Sequence, residues 1–244
     1  MNKDYSGMML RNRNFYGENL SGADFTGAVL IDCGFFGTRL DRADFTGADA
    51  RGCKFAYINL QGGSFKEAII EDADFTGADL RRVSFEKAKA AGATFNGTLL
   101  DCCNFEEAKA PGASFEMAVM SAAYCKHADF SGACFKEARL DGVDFYRAML
   151  LDADFAGANC GRVDFRDADF AGACFDGASL SWCILLDKRC DAGLADASGL
   201  DGALITYSFL AIHSTEELAE LVAAGAALRE CMDCIGRPLA GGFG

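Results

Sequence analysis

Twelve cysteines and two histidines are the side chains of this 244-residue chain best suited to nucleophilic, redox or metal chemistry. Cys231 and Cys234 form a CxxC motif, a spacing typical of redox dithiols and of zinc sites. A structural zinc site takes four ligands, and no second pair of ligands lies near this motif in the sequence. A redox or zinc role for the pair stays open, but we favour reduced thiols and predict no cofactor.

The histidines and carboxylates give no catalytic pattern. Nucleophilic catalysis needs a base within reach of its nucleophile, and neither His127 nor His213 has a candidate nucleophile at a meaningful spacing. The carboxylates recur at one place, directly before a regularly spaced hydrophobic residue, as at Asp24, Asp44, Asp74, Asp129, Asp154 and Asp169. A recurrence that follows the architecture of the chain is not a catalytic signal. We therefore expect a protein that is not an enzyme.

The hydrophobic residues recur every five positions. Phenylalanine occupies every tenth residue from Phe15 to Phe115, and the positions midway between hold leucine, isoleucine or alanine, followed by Met120. Two residues before most of these centres lies a small residue, such as Ala23 or Cys33. Neither a helix of 3.6 residues per turn nor a strand of period two keeps such a pattern in phase. The chain must turn every five residues, which predicts a solenoid.

The string ADFTGADL at 73–80, nearly repeated elsewhere, resembles the pentapeptide-repeat family, whose consensus is Ala-(Asp/Asn)-(Leu/Phe)-X-X. The match runs from Phe15 to Leu185 without an insertion or deletion. The resemblance implies an all-β solenoid, a right-handed quadrilateral β-helix with 20 residues in each coil. Four centres then belong to every coil, one on each side.

Grouping the centres by 20 gives four columns, named here by their first members as the Phe15, Leu20, Phe25 and Leu30 columns. Side chains of nearly one type stack within the first three columns, which suits close packing of rings and aliphatic groups, whereas the Leu30 column mixes sizes. A filled interior leaves no pocket, so any ligand must bind outside. The predicted core comprises Phe15, Phe25, Phe35, Phe45, Phe55, Phe65, Phe75, Phe85, Phe95, Phe105, Phe115, Phe135, Phe145, Phe155, Phe165, Phe175, Leu20, Leu40, Leu60, Leu80, Leu100, Leu140 and Leu180.

The C-terminal segment departs from the repeat. We expect the β-helix at 1–210 and a cap or dimerisation element at 211–244, with one short α-helix at about 215–230 that opens on a capping box. The helix could cover the open end of the last coil, or it could also pair with its copy in a homodimer. We expect the C-terminal segment to pack back on the only tryptophan. The residues predicted to cap or dimerise are Trp182, Leu218, Leu221, Val222 and Leu228.

The formal net charge of −13 disfavours direct binding of nucleic acid. The N-terminus carries no long apolar run, so we expect a cytoplasmic protein without a membrane span. Acids are spread over three sides, whereas arginines outnumber acids on the side of the Leu20 column. The acidic candidates for partner binding lie on the Phe25 side and are Asp24, Asp44, Glu67, Glu86, Glu106, Glu107, Asp144 and Asp164.

Tyr16, Phe36 and Tyr57 project from successive coils beside the Phe15 column, where small or polar residues are usual. Either residues 1–9 fold back over these rings or a partner binds them. The sequence therefore predicts an acidic protein-binding scaffold with an unidentified protein partner. The family resemblance implies an alternative, because one branch protects DNA gyrase from quinolones or toxins and is thought to imitate duplex DNA. A type II topoisomerase would then be the partner.

Overall fold

The computed structural model describes residues 3–185 together with the short segments 204–205 and 227–228. Residues 3–185 form a repeat β-helix, because their parallel bridges join residues that lie 20 positions apart along the chain. The strands are β1 (Met9–Arg11), β2 (Val29–Ile31), β3 (Ile184–Leu185), β4 (Leu204–Ile205) and β5 (Ala227–Leu228). Elsewhere each side of a coil contributes a single bridged residue, since the straight segment between two turns is too short for a longer strand.

Backbone hydrogen bonds between coils define the register. The N–H of Phe75 donates to the carbonyl of Thr94 at 2.7 Å, and the N–H of Asp74 donates to Cys53 in the preceding coil at 3.0 Å. The N–H of Gly77 donates to Asn96 at 2.9 Å. These three bonds recur from coil to coil, so each pentapeptide is joined to the pentapeptides above and below it.

A turn follows every centre. The carbonyl of nearly every centre accepts a bond from the N–H three residues later, as from Ala78 to Phe75 at 3.0 Å. The second residue after the centre has a φ between 50° and 70° throughout the repeat, from Gly7 to Trp182 at every fifth position. Such angles are rare for residues with a side chain, which explains the many glycines at this position. Every such turn redirects the chain towards the next side of the coil.

Two neighbouring alanines test this account of the turn. Ala122 is exposed at the turn position with a φ of 53°, whereas Ala123 is buried at the small inward position. We expect Ala122→Gly to raise the free energy of unfolding by about 1 kcal/mol, because glycine adopts this φ without strain. Ala123→Gly should lower it by about 1 kcal/mol, since it adds backbone freedom and removes a packed methyl group. Urea unfolding of both variants measures the two changes, and the same sign in both would contradict the turn geometry.

The four columns fill the interior. Every phenylalanine and leucine of the predicted core is at most 1% exposed. Within a column the rings stack, with the centroids of Phe75 and Phe95 4.9 Å apart and the planes 1° from parallel. Between opposite columns the rings meet edge to face, as Phe75 and Phe85 do at 6.1 Å. Both arrangements are favourable for aromatic quadrupoles, so one ring contacts neighbours above, below and across the coil.

The middle of the Phe15 column should tolerate no charge. We expect Phe75→Asp to lower the free energy of unfolding by at least about 4 kcal/mol, because it removes a fully buried ring and leaves a carboxylate among apolar groups. The matched control is Asn96→Asp, which adds the same charge at a turn, where the side-chain oxygen already accepts bonds from Ser114 and from the N–H of Glu116. Far-UV circular dichroism during urea unfolding distinguishes the two. A Phe75→Asp protein as stable as its control would overturn the assignment of this column to the core.

The ladder continues past residue 185. Leu185 of β3 pairs with Ile205 of β4 in the same 20-residue register, and Ile205 pairs in parallel with Leu228 of β5 after 23 residues. The helix predicted at about 215–230 is therefore wrong at 227–228, where the unpaired edge of β4 draws the chain into the sheet in spite of its helical spacing. Leu218, Leu221 and Val222 lie outside the described residues, and the cap and dimer hypotheses stay predictions.

Trp182 is 65% exposed, and the C-terminal segment expected to pack back on it lies almost wholly outside the described residues, so that expectation stays a prediction. The position of Trp182 explains the exposure, because its φ of 62° places it at the outer residue of a turn. No helix among the described residues has the length and apolar character needed to cross a membrane.

Candidate binding surfaces

The recurrent carboxylates close the turns. The carboxylate of Asp24 accepts a bond from the backbone N–H of Thr26 at 2.8 Å, and Asp44 and Asp74 do the same for the N–H two residues on. This N–H, one residue after the centre, is not used by the inter-coil bonds or by the turn bond described above. An aspartate or asparagine before the centre therefore satisfies a backbone donor, which accounts for its recurrence without any catalytic role.

The described histidine and cysteines are structural or solvent-facing. His127 is at an outer turn position with its ring centroid 5.9 Å from that of Tyr146. Cys53 and Cys183 fill small inward positions and donate to carbonyls of the preceding coil, and burial raises the pKa of each thiol to about 12. Among the described residues, no group of three or more His, Cys, Asp or Glu side chains could hold a metal ion. The CxxC motif and His213 lie outside this part of the chain.

Adjacent thiols at Cys102 and Cys103 should differ in reactivity. Cys102 is exposed, whereas Cys103 is buried and donates to the carbonyl of Leu80 at 2.9 Å. Burial raises the pKa of Cys103 well above its usual value, so its thiol stays protonated and unreactive through pH 7 to 9. We expect iodoacetamide at about pH 8.5 to alkylate Cys102 in the folded protein and to reach Cys103 only after unfolding in urea. Peptide mapping by mass spectrometry measures the alkylation of each cysteine, and equal alkylation of the two in the folded protein would contradict the structure.

The acids of the Phe25 side are partly neutralised by their neighbours. Ion pairs join Lys66 to Glu86 at 3.1 Å and Lys126 to Asp144 at 3.2 Å, and Arg166 holds its own coil's Asp164 at 2.6 Å. Glu107 has a longer contact of 3.8 Å to a lysine. The described cations leave four of the candidate acids without an ion pair, namely Asp24, Asp44, Glu67 and Glu106. Three of these four unpaired acids therefore lie in the N-terminal half of the coil stack, and Glu106 lies just beyond its middle.

Exposed rings form a ladder along the turns that follow the Phe15 column. Tyr16 is stacked on Phe36 with centroids 5.9 Å apart, and Phe36 meets Tyr57 edge to face at 5.5 Å. Their exposures are 66%, 47% and 60%, respectively. We call Tyr16, Phe36 and Tyr57 the aromatic ladder. Three rings on consecutive coils present one apolar strip to solvent.

Residues 3–9 do not cover the aromatic ladder. Residues 3–9 belong to the first coil, where Asp4 is bridged to Asp24 and Tyr5 stacks on Phe25 with centroids 4.7 Å apart. The interpretation in which residues 1–9 fold back over the rings is therefore wrong for these residues. The physical reason is that Tyr5 continues the Phe25 column and caps its end.

Two glycines that the sequence reasoning missed support the ladder. A Cβ at Gly77 would lie 2.7 Å from the ring of Tyr57, so the ring packs directly on the bare turn of the next coil. A Cβ at Gly37 would lie 3.9 Å from the ring of Tyr16. A glycine 20 or 21 residues after an exposed ring is the signal that could have found these contacts. Rings that already pack against a glycine turn lose little side-chain conformational freedom when a partner binds.

Matches to the model of pentapeptide repeats overlap and together run from residue 10 to residue 185. The chain belongs to the pentapeptide repeat family. The resemblance seen in the sequence is thereby confirmed, as is the expectation of a repeat β-helix. No curated protein matches the chain.

Solved structures of other pentapeptide repeat proteins are similar to this one. HetL, involved in heterocyst differentiation regulation in the cyanobacterium Nostoc sp. strain PCC 7120, is 23% identical with a TM-score of 0.48, over 76% of this chain and 90% of HetL. A trypsin-treated variant of QnrB1, a plasmid-mediated fluoroquinolone resistance protein, is 23% identical with a TM-score of 0.47, over 71% and 85%. A protein from the Arabidopsis thaliana thylakoid lumen is 19% identical with a TM-score of 0.26, over 85% and 89%. At these identities the likeness concerns the fold alone.

Proposed function

We propose that this pentapeptide repeat protein is a non-enzymatic scaffold that binds a protein partner through the aromatic ladder. The observation that carries the proposal is an uncovered strip of three rings, each supported by its neighbours or by a glycine turn of the next coil. Aromatic residues that are rigid and exposed are the usual anchors of protein interfaces, because they bury a large area at a small entropic cost. The interior supports the same conclusion, since buried side chains fill the four columns.

The test replaces each ring by a residue that the same turn position holds in other coils. Tyr16→Thr, Phe36→Thr and Tyr57→Gly follow the pattern of Thr76 and Gly77 and should leave the fold intact. The parent protein should capture a partner protein reproducibly and in stoichiometric amount. We expect the triple variant to fail to capture that partner. The loss in affinity should be at least about 100-fold, since interface aromatics contribute about 2 kcal/mol or more each.

The matched control is the exposed methionine at Met117, two residues after Phe115 in the same row of turns. Met117→Gly removes an apolar side chain beyond the ladder and should preserve capture. Quantitative mass spectrometry of the captured proteins compares the three chains, and circular dichroism verifies that each is folded. Capture that survives in the ladder variant, or is lost equally in the control, would refute a docking role for the ladder.

A second candidate is a DNA-mimicking protein that binds DNA gyrase and protects it from quinolones or toxins. Four acids of the Phe25 side favour it, because Asp24, Asp44, Glu67 and Glu106 have no ion pair with a described cation. The ion pairs further along this side weaken it, since a mimic of duplex DNA needs sustained negative charge. The unpaired acids therefore support a short acidic contact better than an imitation of a long duplex.

Neutralising those four acids tests the second candidate. Asp24→Asn and Asp44→Asn keep a side-chain oxygen for the turn N–H, as Asn19 does for Ser21 at 3.1 Å, while Glu67→Gln and Glu106→Gln remove exposed charge. If the protein imitates DNA, the parent should restore gyrase supercoiling in the presence of a quinolone, and this variant should need at least about tenfold more protein.

The control for this assay neutralises four acids beside the Leu30 column, giving the same change in net charge. Its substitutions are Asp32→Asn, Glu71→Gln, Asp72→Asn and Asp152→Asn. If the parent protein gives no protection, or if both variants lose protection equally, gyrase is rejected as a partner that binds the Phe25 side.

A further inference from the structure

An open groove runs along the turns that follow the Leu20 column, across five successive coils. It encloses about 910 Å³ and is bordered by Arg39, Arg42, Arg81 and Arg82 with Asp41 and Asp101. Its charged border is thus net positive on a chain of net charge −13. We call it the arginine groove. We infer that the arginine groove binds an extended acidic segment of a partner protein.

The four arginines differ in how they are held. Arg81 is fixed by two bonds to Asp79, at 2.9 and 2.7 Å, and Arg39 approaches Asp41 at 3.6 Å while remaining 68% exposed. Arg42 and Arg82 make no ion pair with any carboxylate among the described residues. Their guanidinium groups keep their donors for a ligand, and a carboxylate can accept two bonds from one such group.

The spacing of the two unpaired arginines suits an extended chain. Both occupy the outer turn position, with φ values of 57° and 61°, and they lie two coils apart. Because neighbouring coils are spaced like hydrogen-bonded strands, two coils correspond to about 10 Å along the stack. Between them Gly62 has no side chain, and the stem of Arg42 lies over it, 3.9 Å from where a Cβ would be. An extended peptide advances about 3.3 Å per residue, so acidic side chains two to four residues apart can reach both guanidinium groups.

The shape and charge of the surroundings favour a peptide over other anions. The groove is an open surface trough, so a small phosphorylated ligand would keep most of its area in water, unlike ligands of enclosed pockets. A long nucleic acid would extend beyond the five coils onto a strongly acidic protein. A short acidic segment can contact the arginines without reaching the acidic protein surface beyond the groove, which would repel it.

The groove is a second surface and does not depend on the proposed aromatic ladder. The side of the coil that carries the Leu20 column lies between the turns of the ladder and the turns of the groove. Because the two rows of turns are separate, variants of one leave the other intact. A single partner could contact both, with rings on one row and acids on the other.

The experiment measures fluorescence anisotropy of a labelled ten-residue peptide that alternates glutamate and glycine, at low salt. The variant is Arg42→Asn with Arg82→Asn, because asparagine is accepted at this turn position, as at Asn12. The control is Arg147→Asn with Arg162→Asn, which has the same turn position and the same charge change but lies outside the groove, where each arginine has an ion pair. We expect binding to weaken at least about tenfold in the variant and less than about twofold in the control.

Several outcomes would overturn the inference. These are equal weakening in variant and control, undiminished binding in the variant, and equal binding of a glutamine and glycine peptide by the parent protein. Tighter binding of a ten-nucleotide thymidine strand or of inorganic pyrophosphate than of the peptide would assign the groove to nucleic acid or to phosphate. A doubled mass by light scattering that only the groove variant abolishes would assign it to a second copy of this chain.

Thermal unfolding must first show that both double variants are folded. If the groove double variant is not folded, the single variants Arg42→Asn and Arg82→Asn are measured in its place. The triple ladder variant should bind the acidic peptide as the parent does. That measurement separates failure of the groove from failure of the proposed scaffold function.

Discussion

The coils at residues 3–185 depend on one constraint, a parallel backbone ladder in which each bridged residue faces the residue 20 positions on. Once that register is set, a centre always lies on a centre and a turn on a turn. The stacking of like side chains then follows from the hydrogen bonds, as for Phe75 between Phe55 and Phe95 at 4.9 Å on both sides. A shift of one residue would bury turn residues and expose rings, so the ladder and the core stabilise the same register.

The same register organises the outer surface. A ring, an arginine or a glycine at a given turn position meets its counterparts above and below at one ladder step, which turns isolated residues into continuous strips. The aromatic ladder arises in this way on one row of turns and the arginine groove on the next. An ion pair between neighbouring coils, such as Arg147 with Asp167 at 3.3 Å, uses the same step to neutralise charge. Candidate binding surfaces on this fold are therefore built from rows of turn residues.

Family membership and geometry constrain different parts of the function. The pentapeptide repeat family accounts for the coil, the filled interior and the aspartates that close the turns. The proposed partners rest instead on side chains that the repeat leaves free, such as Tyr16 and Phe36 on one row and Arg42 on another. A scaffold of this kind gains a new specificity by changing turn residues without disturbing the columns, because turn side chains contribute little to the core.

Much of the architecture was determined by the sequence alone, since a five-residue period with small and large inward residues can be satisfied only by a chain that turns at each repeat. That reasoning placed Phe75 in the core and tied the recurring aspartates, such as Asp74, to the architecture of the repeat. It could not decide which surface residues are available, because pairing depends on coils that are 20 residues away. Only the tertiary structure showed that Tyr5 ends a column and leaves Tyr16 uncovered. It also showed Leu228 in a strand in place of a helix, because an open sheet edge supplies hydrogen bonds that local helical spacing does not reveal.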